Sequence, residues 1–176
     1  MEEKEQSKII REDNNRIGNT VLLMLKKINV PLIIIKNLYL RENNENKGLN
    51  FLIAIDGSKL SFNMFKETKN LVNSLNDKIS ALFIYTREDE KINLKKEFDE
   101  IKINIDIDLI LLENISSISI EKQVLDFSNQ ESPRFDYLVI GSHGLGSQNN
   151  TKPSVDIGHI AQFLMKHSVI NTIILK

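Results

Sequence analysis

Between Asn50 and Lys176 the chain alternates between short, nearly continuous apolar runs and longer segments with apolar residues at helical spacing. The apolar runs have the length and composition of strands that are buried on both faces of a sheet. They read FLIAI, KISALFIYT, INIDIDLILL, DYLVI and VINTIIL. Between them, apolar residues recur every three or four positions, as at Ile120, Val124 and Phe127, which predicts amphipathic helices.

A regular alternation of buried strands and amphipathic helices predicts a parallel sheet with helices on both faces. Right-handed crossovers restrict such a sheet to doubly wound topologies. We therefore predict an α/β fold for residues 50–176, a Rossmann-like five-stranded parallel sheet whose strands lie in the order 3-2-1-4-5, counted from the first strand of this domain. The apolar stripes of the helices are expected to fill the core.

Three segments precede this domain. Residues 1–16 are mostly polar and charged, and we predict a flexible N-terminal segment there. Residues 17–36 combine a helical stretch with a short β-type run that opens at Pro31, a residue tolerated at the start of a strand or on a sheet edge. Residues 37–49 are rich in Asn and other polar residues, which predicts a linker.

The segment at 17–36 resembles the end of the chain. IGNTVLLMLKKINVPLIIIK and IGHIAQFLMKHSVINTIILK align without a gap, at a constant offset of 158 − 18 = 140 residues. They share an initial Ile-Gly, a Lys within the helix, an Ile-Ile pair and a final Lys. The chain therefore contains a short internal repeat of one helix and one strand.

Composition argues against several classes of function. The net charge of −1 provides no strong field toward nucleic acid or acidic lipid, and the absence of Cys excludes disulfides and thiolate metal sites. His143, His159 and His167 lack the spacing of a zinc site, so no metal is predicted. The acidic start lacks the apolar core of a signal peptide, and no apolar run is long enough to span a bilayer. We expect a cytoplasmic protein with no nucleic-acid or membrane partner.

Two loops carry the candidate chemistry. Asp56, Gly57 and Ser58 follow the first strand, and Gly141–Gly144 follow the fourth. In a doubly wound sheet these strand ends lie side by side where the winding reverses, which is where ligands bind. Glycines allow a phosphate to approach the backbone, and the helix start near Gly158 adds amide donors. An ordinary structural role remains open, because such glycines also form turns and Asp is common in turns.

In the order of these elements and in its loops, the segment from Asn50 to Lys176 resembles a universal stress protein domain. FLIAIDGSKLS is similar to the first strand and Asp-Gly-Ser turn of that family, DYLVIGSHGLGS to its fourth strand and phosphate loop, and IGHIAQFLMKHSVINTIILK to its last helix and strand. The resemblance covers roughly 127 of the 176 residues. It implies a module that binds ATP or another adenine nucleotide.

The nucleotide-binding branch of the family carries the motif G-x2-G-x9-G-[ST]. By this resemblance Asp56 would face the ribose, the backbone near Ile84 the adenine, and Ile140 would pack against the base. The loop amides would hold phosphates. The full set of expected binding residues is Asp56, Gly57, Ser58, Ile84, Ile140, Gly141, Ser142, His143, Gly144, Gly158 and His159.

This chain departs from the family motif twice. Thirteen residues separate Gly144 from Gly158, where the family has nine, and His159 stands where the family has Ser or Thr. A hydroxyl at that position would donate a hydrogen bond to a terminal phosphate, whereas an imidazole is bulkier and pairs with phosphate when protonated. These departures concern triphosphate recognition and leave adenine and ribose recognition in place.

The resemblance also suggests an origin for the internal repeat at residues 17–36. Tandem domains are common in this family, so we interpret residues 17–36 as the last helix and strand of a preceding copy whose remainder is missing. Two apolar edge strands would be exposed if they stayed apart. We therefore predict that Leu32–Ile35 pairs antiparallel with Thr172–Leu175, as a sixth strand beside the fifth. The alternatives to this pairing are a disordered N-terminal tail and pairing with a second chain in an exchanged homodimer.

Two functions remain in contention from the sequence. The first is an adenine-nucleotide-binding regulatory module without evident catalysis, because no carboxylate pair, metal cluster or nucleophile–base pairing stands out. The second is a module of the same fold that binds no nucleotide and acts through protein–protein contacts or dimerisation.

Overall fold

The computed structural model describes residues 19–27, 30–36, 48–72, 76–102, 106–132, 134–144 and 157–176. The helices in these ranges are α1 (Asn19–Lys27), α2 (Lys59–Leu71), α3 (Glu88–Lys102), α4 (Ile120–Ser128) and α5 (His159–His167). The strands are β1 (Leu32–Ile34), β2 (Asn50–Ile55), β3 (Lys78–Tyr85), β4 (Asp108–Glu113), β5 (Tyr137–Gly141) and β6 (Asn171–Leu175). Of these helices, none is both long and apolar enough to cross a membrane. The predicted flexible segment 1–16 and most of the predicted linker 37–49 lie outside the described residues.

The six strands form one sheet in the order β1-β6-β5-β2-β3-β4. The five strands from β2 to β6 are parallel to one another, and β1 adds an antiparallel strand at the edge. Counted from β2, the parallel strands lie in the order 3-2-1-4-5, so the predicted α/β fold and its strand order are confirmed.

The predicted antiparallel pairing of β1 with β6 is also confirmed. Leu32 lies opposite Ile174, Ile33 opposite Ile173 and Ile34 opposite Thr172. The central pair differs by 173 − 33 = 140, the offset of the sequence repeat. In the two outer pairs the repeat equivalents are exchanged: Leu32, equivalent to Thr172, pairs with Ile174, and Ile34, equivalent to Ile174, pairs with Thr172. The repeat is therefore related by a local pseudo-twofold axis that passes through the central pair.

The helices of the repeat obey the same relation. Helix α1 spans Asn19–Lys27 and α5 spans His159–His167. The first residues of the two helices are 140 positions apart in the sequence, and so are their last residues. Both helices pack on the same face of the sheet, because Leu25 and its counterpart Met165 belong to one core cluster. They are 3% and 2% exposed, respectively.

Each face of the sheet has its own core. Helices α2 and α3 cover one face, whose core includes several Phe side chains, with Phe65 and Phe98 in edge-to-face contact at 5.6 Å. Helices α1, α4 and α5 cover the other face, where the core is mainly aliphatic. Burial on both faces explains the nearly continuous apolar runs of the central strands.

Lys36, just beyond β1, ties the N-terminal unit to α5. Its backbone N–H donates to Oδ1 of Asn171 at 2.8 Å. Its amine donates to the carbonyl oxygens of Met165 at 2.6 Å and Ser168 at 2.5 Å. The last carbonyls of a helix have no partner within it, so a Lys donor placed there satisfies them and complements the helix dipole.

We predict that the N-terminal unit unfolds together with the main domain. Leu25→Ala should lower the free energy of unfolding by about 2–5 kcal/mol, because it leaves a cavity in the core under α1. Leu23→Ala is the matched control: Leu23 is 51% exposed, and its truncation should change stability by no more than about 0.5 kcal/mol. Urea unfolding of both variants, followed by circular dichroism, measures the difference. Equal stability of the two variants would show that α1 is not part of the cooperative unit.

A second prediction concerns pH. Burial lowers the pKa of Lys36 from 10.5 to about 8. The folded protein then binds fewer protons than the unfolded chain between about pH 8 and 10.5, so the contribution of Lys36 to stability rises with pH across that window. Urea unfolding at pH 7.5 and 10 should show wild type gaining stability relative to Lys36→Met. A difference between the two proteins that does not change with pH would contradict this.

Candidate functional site

The loop after β2 is a tight turn into α2. The N–H of Ser58 donates to Oδ1 of Asp56 at 3.0 Å, and Gly57 between them adopts a left-handed conformation with φ of 79°. The hydroxyl of Ser58 then caps α2 by accepting the N–H of Ser61 at 3.1 Å. This local chemistry holds the Asp56 carboxylate at the carboxyl end of the sheet.

The loop after β5 is fixed by backbone hydrogen bonds. The N–H of Ser142 donates to the carbonyl of Leu175 at 2.7 Å, and the carbonyl of Ser142 accepts the N–H of Gly158 at 2.8 Å. The hydroxyl of Ser142 is hydrogen-bonded to Nδ1 of His143 at 2.9 Å. The end of β6 and the start of α5 therefore both contact this loop.

The two loops touch at Gly144. A Cβ atom at Gly144 would lie 2.8 Å from Oδ2 of Asp56, closer than side chains pack. Gly158, which precedes α5, also lies against the same loop, since its Cβ would be 3.4 Å from the carbonyl oxygen of Ser142 and 3.9 Å from the amide nitrogen of Gly144. A side chain at position 144 would therefore displace the Asp56 carboxylate, whereas position 158 has room for a small side chain.

These loops and the start of α5 frame a cleft of about 460 Å³ at the carboxyl ends of β2 and β5. Its volume falls within the range of small-molecule sites. The lining contains both polar and apolar residues. The polar side chains and glycines are Asp56, Ser61, Gly141, Ser142, His143, Gly144, Gly158 and His159. The apolar lining consists of Ala54, Ile55, Met64, Ile120, Val124, Ile140, Ile157, Ile160, Ala161 and Leu164.

Most of the residues predicted as ligand contacts line this cleft. They are Asp56, Ile140, Gly141, Ser142, His143, Gly144, Gly158 and His159. The other three, Gly57, Ser58 and Ile84, are not among the lining residues. Gly57 and Ser58 shape the turn that carries Asp56, and the side chain of Ile84 packs against the aliphatic core. Direct ligand contact remains a prediction for all of these residues.

The sequence did not reveal the apolar wall of the cleft. The stripes of α4 and α5 were expected to be core, but Ile120 and Ile160 are 39% and 43% exposed and line the cleft. That expectation is wrong for these two residues. Helical periodicity identifies the face that points inward but does not distinguish a packed interior from a cavity wall. Their position near the first turns of α4 and α5 was the available signal, because helix starts face the same end of the sheet as the loops.

The arrangement suits a flat or elongated apolar group with an anionic end. The first turn of a helix presents N–H groups without partners inside the helix, and this end carries a partial positive charge. The first turn of α5 contains no acidic residue that would oppose an anion. Within the described part of the chain, no group of three or more His, Asp or Glu side chains comes together in a way that could hold a metal ion.

No family model matches the sequence, and no curated protein matches it significantly. Solved structures do match. The universal stress protein UspA from Lactobacillus plantarum has a TM-score of 0.51 and 16% identity, covering 74% of this chain and 99% of that chain. A universal stress protein in complex with cAMP has a TM-score of 0.53 and 16% identity, with coverage of 74% and 98%.

A universal stress protein from Archaeoglobus fulgidus DSM 4304 matches with a TM-score of 0.68 and 17% identity. The match covers 92% of this chain and only 57% of that chain. Residues 50–176 make up 127 of 176 residues, or 72%, so this match extends into the residues before Asn50. The fold is that of a doubly wound α/β protein, and the cleft lies at the carboxyl ends of β2 and β5, where the winding reverses. More particularly, the chain has the fold of the universal stress proteins.

The turn at Gly57 yields a stability prediction. Gly57→Ala should cost about 1–2 kcal/mol, because a Cβ atom is strained at the positive φ of this residue. There is otherwise space for the side chain, as the nearest atom to a Cβ there would be 3.5 Å away. Gly57→Asn should lose less, since Asn tolerates the left-handed region. Thermal and urea unfolding test this order. An alanine variant as stable as wild type would exclude strain at this turn.

Proposed function

We propose that the chain is a member of the universal stress protein family that binds an adenine nucleotide, ATP or a related one, in this cleft and acts as a regulatory module without catalysis. One observation carries the proposal. The Asp56 turn and the Gly141–Gly144 loop, 85 residues apart in sequence (141 − 56), meet beside the start of α5 and share one cleft.

Each part of a nucleotide has a matching surface in the cleft. The base would lie on the apolar lining at Ile140, which is 3% exposed and is the last of the three buried residues of β5. A ribose hydroxyl would donate to the carboxylate of Asp56. The phosphate would accept hydrogen bonds from amides of the first turn of α5 and of the loop after β5, where the N–H of Ser142 is already donated to Leu175. The structurally similar universal stress protein that was solved with cAMP supports an adenine nucleotide as the ligand.

A second function has its own supporting observation. The N-terminal unit exposes several large apolar side chains: Leu23, Met24, Val30, Ile33 and Ile35. A concentration of exposed apolar side chains in one short unit is typical of an interaction surface. The chain would then act through protein–protein contacts or as a homodimer, with no nucleotide. Within one chain, the antiparallel pairing of β1 with β6 already places two repeated edge strands around a pseudo-twofold axis.

Native mass spectrometry of the freshly purified protein separates these functions. A retained mass equal to an adenine nucleotide supports the first function. Titration calorimetry with ATP, AMP, cAMP and adenosine then identifies which of them binds. If none of them is retained or bound, the nucleotide-binding proposal fails and the protein-contact function is favoured.

Gly144→Val provides the test of the site. We predict at least tenfold weaker nucleotide binding, because the new side chain displaces the Asp56 carboxylate and occupies the path of the phosphate. Val169→Ala is the control, since Val169 is 65% exposed and precedes β6 at the opposite end of the sheet. Calorimetry on both variants measures the effect, with circular dichroism to confirm folding. Equal nucleotide affinity in wild type and Gly144→Val would exclude this cleft.

A further inference from the structure

We infer that the part of the cleft between α4 and α5 binds an aliphatic chain, so that the ligands of this protein include small amphiphiles with an unbranched alkyl or acyl group. We call this part the interhelical lobe. It is formed by Ile120 and Val124 of α4 and by Ile160, Ala161 and Leu164 of α5. The inference goes beyond the proposed function, because it assigns a ligand class to lining residues that the binding of a nucleotide leaves unexplained.

The interhelical lobe becomes more buried along the two helices. Each helix contributes a pair of residues four positions apart, a spacing that places both on the same side of a helix. The outer residues of the pairs, Ile120 and Ile160, are 39% and 43% exposed, whereas the inner residues, Val124 and Leu164, are 5% and 1% exposed. The lobe therefore opens to solvent at the helix starts and reaches into the interior over about 6 Å of helix length.

The interhelical lobe offers a ligand little to hydrogen-bond with. Among the described residues of α4 and α5 that line the cleft, His159 at the start of α5 is the one polar side chain. Gln123, which lies between the two lobe residues of α4, is committed to the loop after β4. Its amide donates to Oδ1 of Asn114 at 2.7 Å and to the carbonyl of Ile118 at 2.9 Å, and it accepts the N–H of Ile115 at 3.1 Å. Beyond the first turn, the helix backbone is bonded internally.

This shortage of hydrogen-bonding groups selects the class of ligand. A buried water needs about two to four polar partners, so water is held weakly in the lobe and its displacement by an apolar group is favourable. A purine between the two helices would leave its ring nitrogens without partners, which is costly. A nucleotide base therefore belongs at the end of the cleft nearer the loops. An aliphatic chain has no hydrogen-bonding atoms and matches the lobe itself.

A series of fatty acids that differ only in chain length tests this inference. Titration calorimetry on the full chain with butyrate, hexanoate and octanoate should show binding that tightens by about tenfold for every two methylene groups added, because each buried methylene adds a constant increment of free energy. Octan-1-ol has the chain of octanoate without its charge. It should bind with similar affinity, because the lobe recognises the chain rather than the head group.

Two variants locate the chain between the helices. Ala161→Leu should weaken octanoate binding by at least about tenfold, because Ala161 is 5% exposed and a larger side chain there occupies the space of the ligand. Ile160→Gln is the second variant and should weaken binding by about fivefold. Its position is 43% exposed, so the protein remains folded, as circular dichroism will verify. Ile92→Gln is the matched control: Ile92 is 61% exposed on α3, on the other face of the sheet, and the variant should bind octanoate like wild type.

The outcomes separate this inference from the proposed function. Equal affinity for butyrate and octanoate, or no binding of either, overturns the inference, whatever the result with nucleotides. Ile33→Gln covers the other apolar surface, since Ile33 is 46% exposed on the N-terminal unit. If this variant weakens octanoate binding and Ile160→Gln does not, the chain binds at that surface and the inference is wrong. If octanoate binds as expected while ATP and adenosine do not, the inference holds and the proposed function fails.

Discussion

The parallel pairing of β2 with β5 is the interaction on which the rest of the structure depends. Phe51 lies opposite Tyr137, Leu52 opposite Leu138, and Ile53 opposite Val139. The last two pairs are completely inaccessible to solvent. The carboxylate of Asp136 accepts the N–H of Asn50 at 2.9 Å at the start of this pair, which fixes its register. Because the two strands run in the same direction, the loops that follow them must emerge side by side, and this brings Asp56 to Gly144.

The pseudo-twofold relation explains how the other side of β6 is completed. A buried strand with Thr172, Ile173 and Ile174 would aggregate if its edge were open. The N-terminal unit supplies β1 for that edge and α1 for the adjoining face. The two copies differ in one respect: Ile33 and Ile35 are 46% and 48% exposed, whereas their counterparts Ile173 and Leu175 are each 1% exposed. In the C-terminal copy, Ile173 and Leu175 belong to the core under α2 and α3, and among the described elements none covers the same face beside β1.

Much of this architecture could be predicted from the sequence because it follows from two periodicities and one repeat. The doubly wound parallel sheet followed from alternating buried strands and helices, and the antiparallel pairing of β1 with β6 followed from the internal repeat. Contacts between individual side chains that are distant in the sequence could not be predicted in the same way. The sequence gives no sign that the amine of Lys36 reaches the carbonyls of Met165 and Ser168, since a long side chain can point in many directions. Nor does the apolar stripe of α5 show that Ile160 borders a cavity. Periodicity shows which side of a helix faces inward, but not whether that side is packed or lines an open space.

Helix α5 connects the two parts of the molecule that sequence reasoning treated separately. Its first residue borders the cleft, while the carbonyls of its last turn accept the hydrogen bonds of Lys36. Its buried face, including Leu164 and Met165, packs in the same aliphatic core as Leu25 of α1. Nine residues at 1.5 Å each make a rigid rod of only about 13 Å, so the position of one end determines that of the other. The N-terminal unit therefore does more than cover an edge strand: through Lys36 it also contacts the last turn of the helix whose first residue borders the cleft.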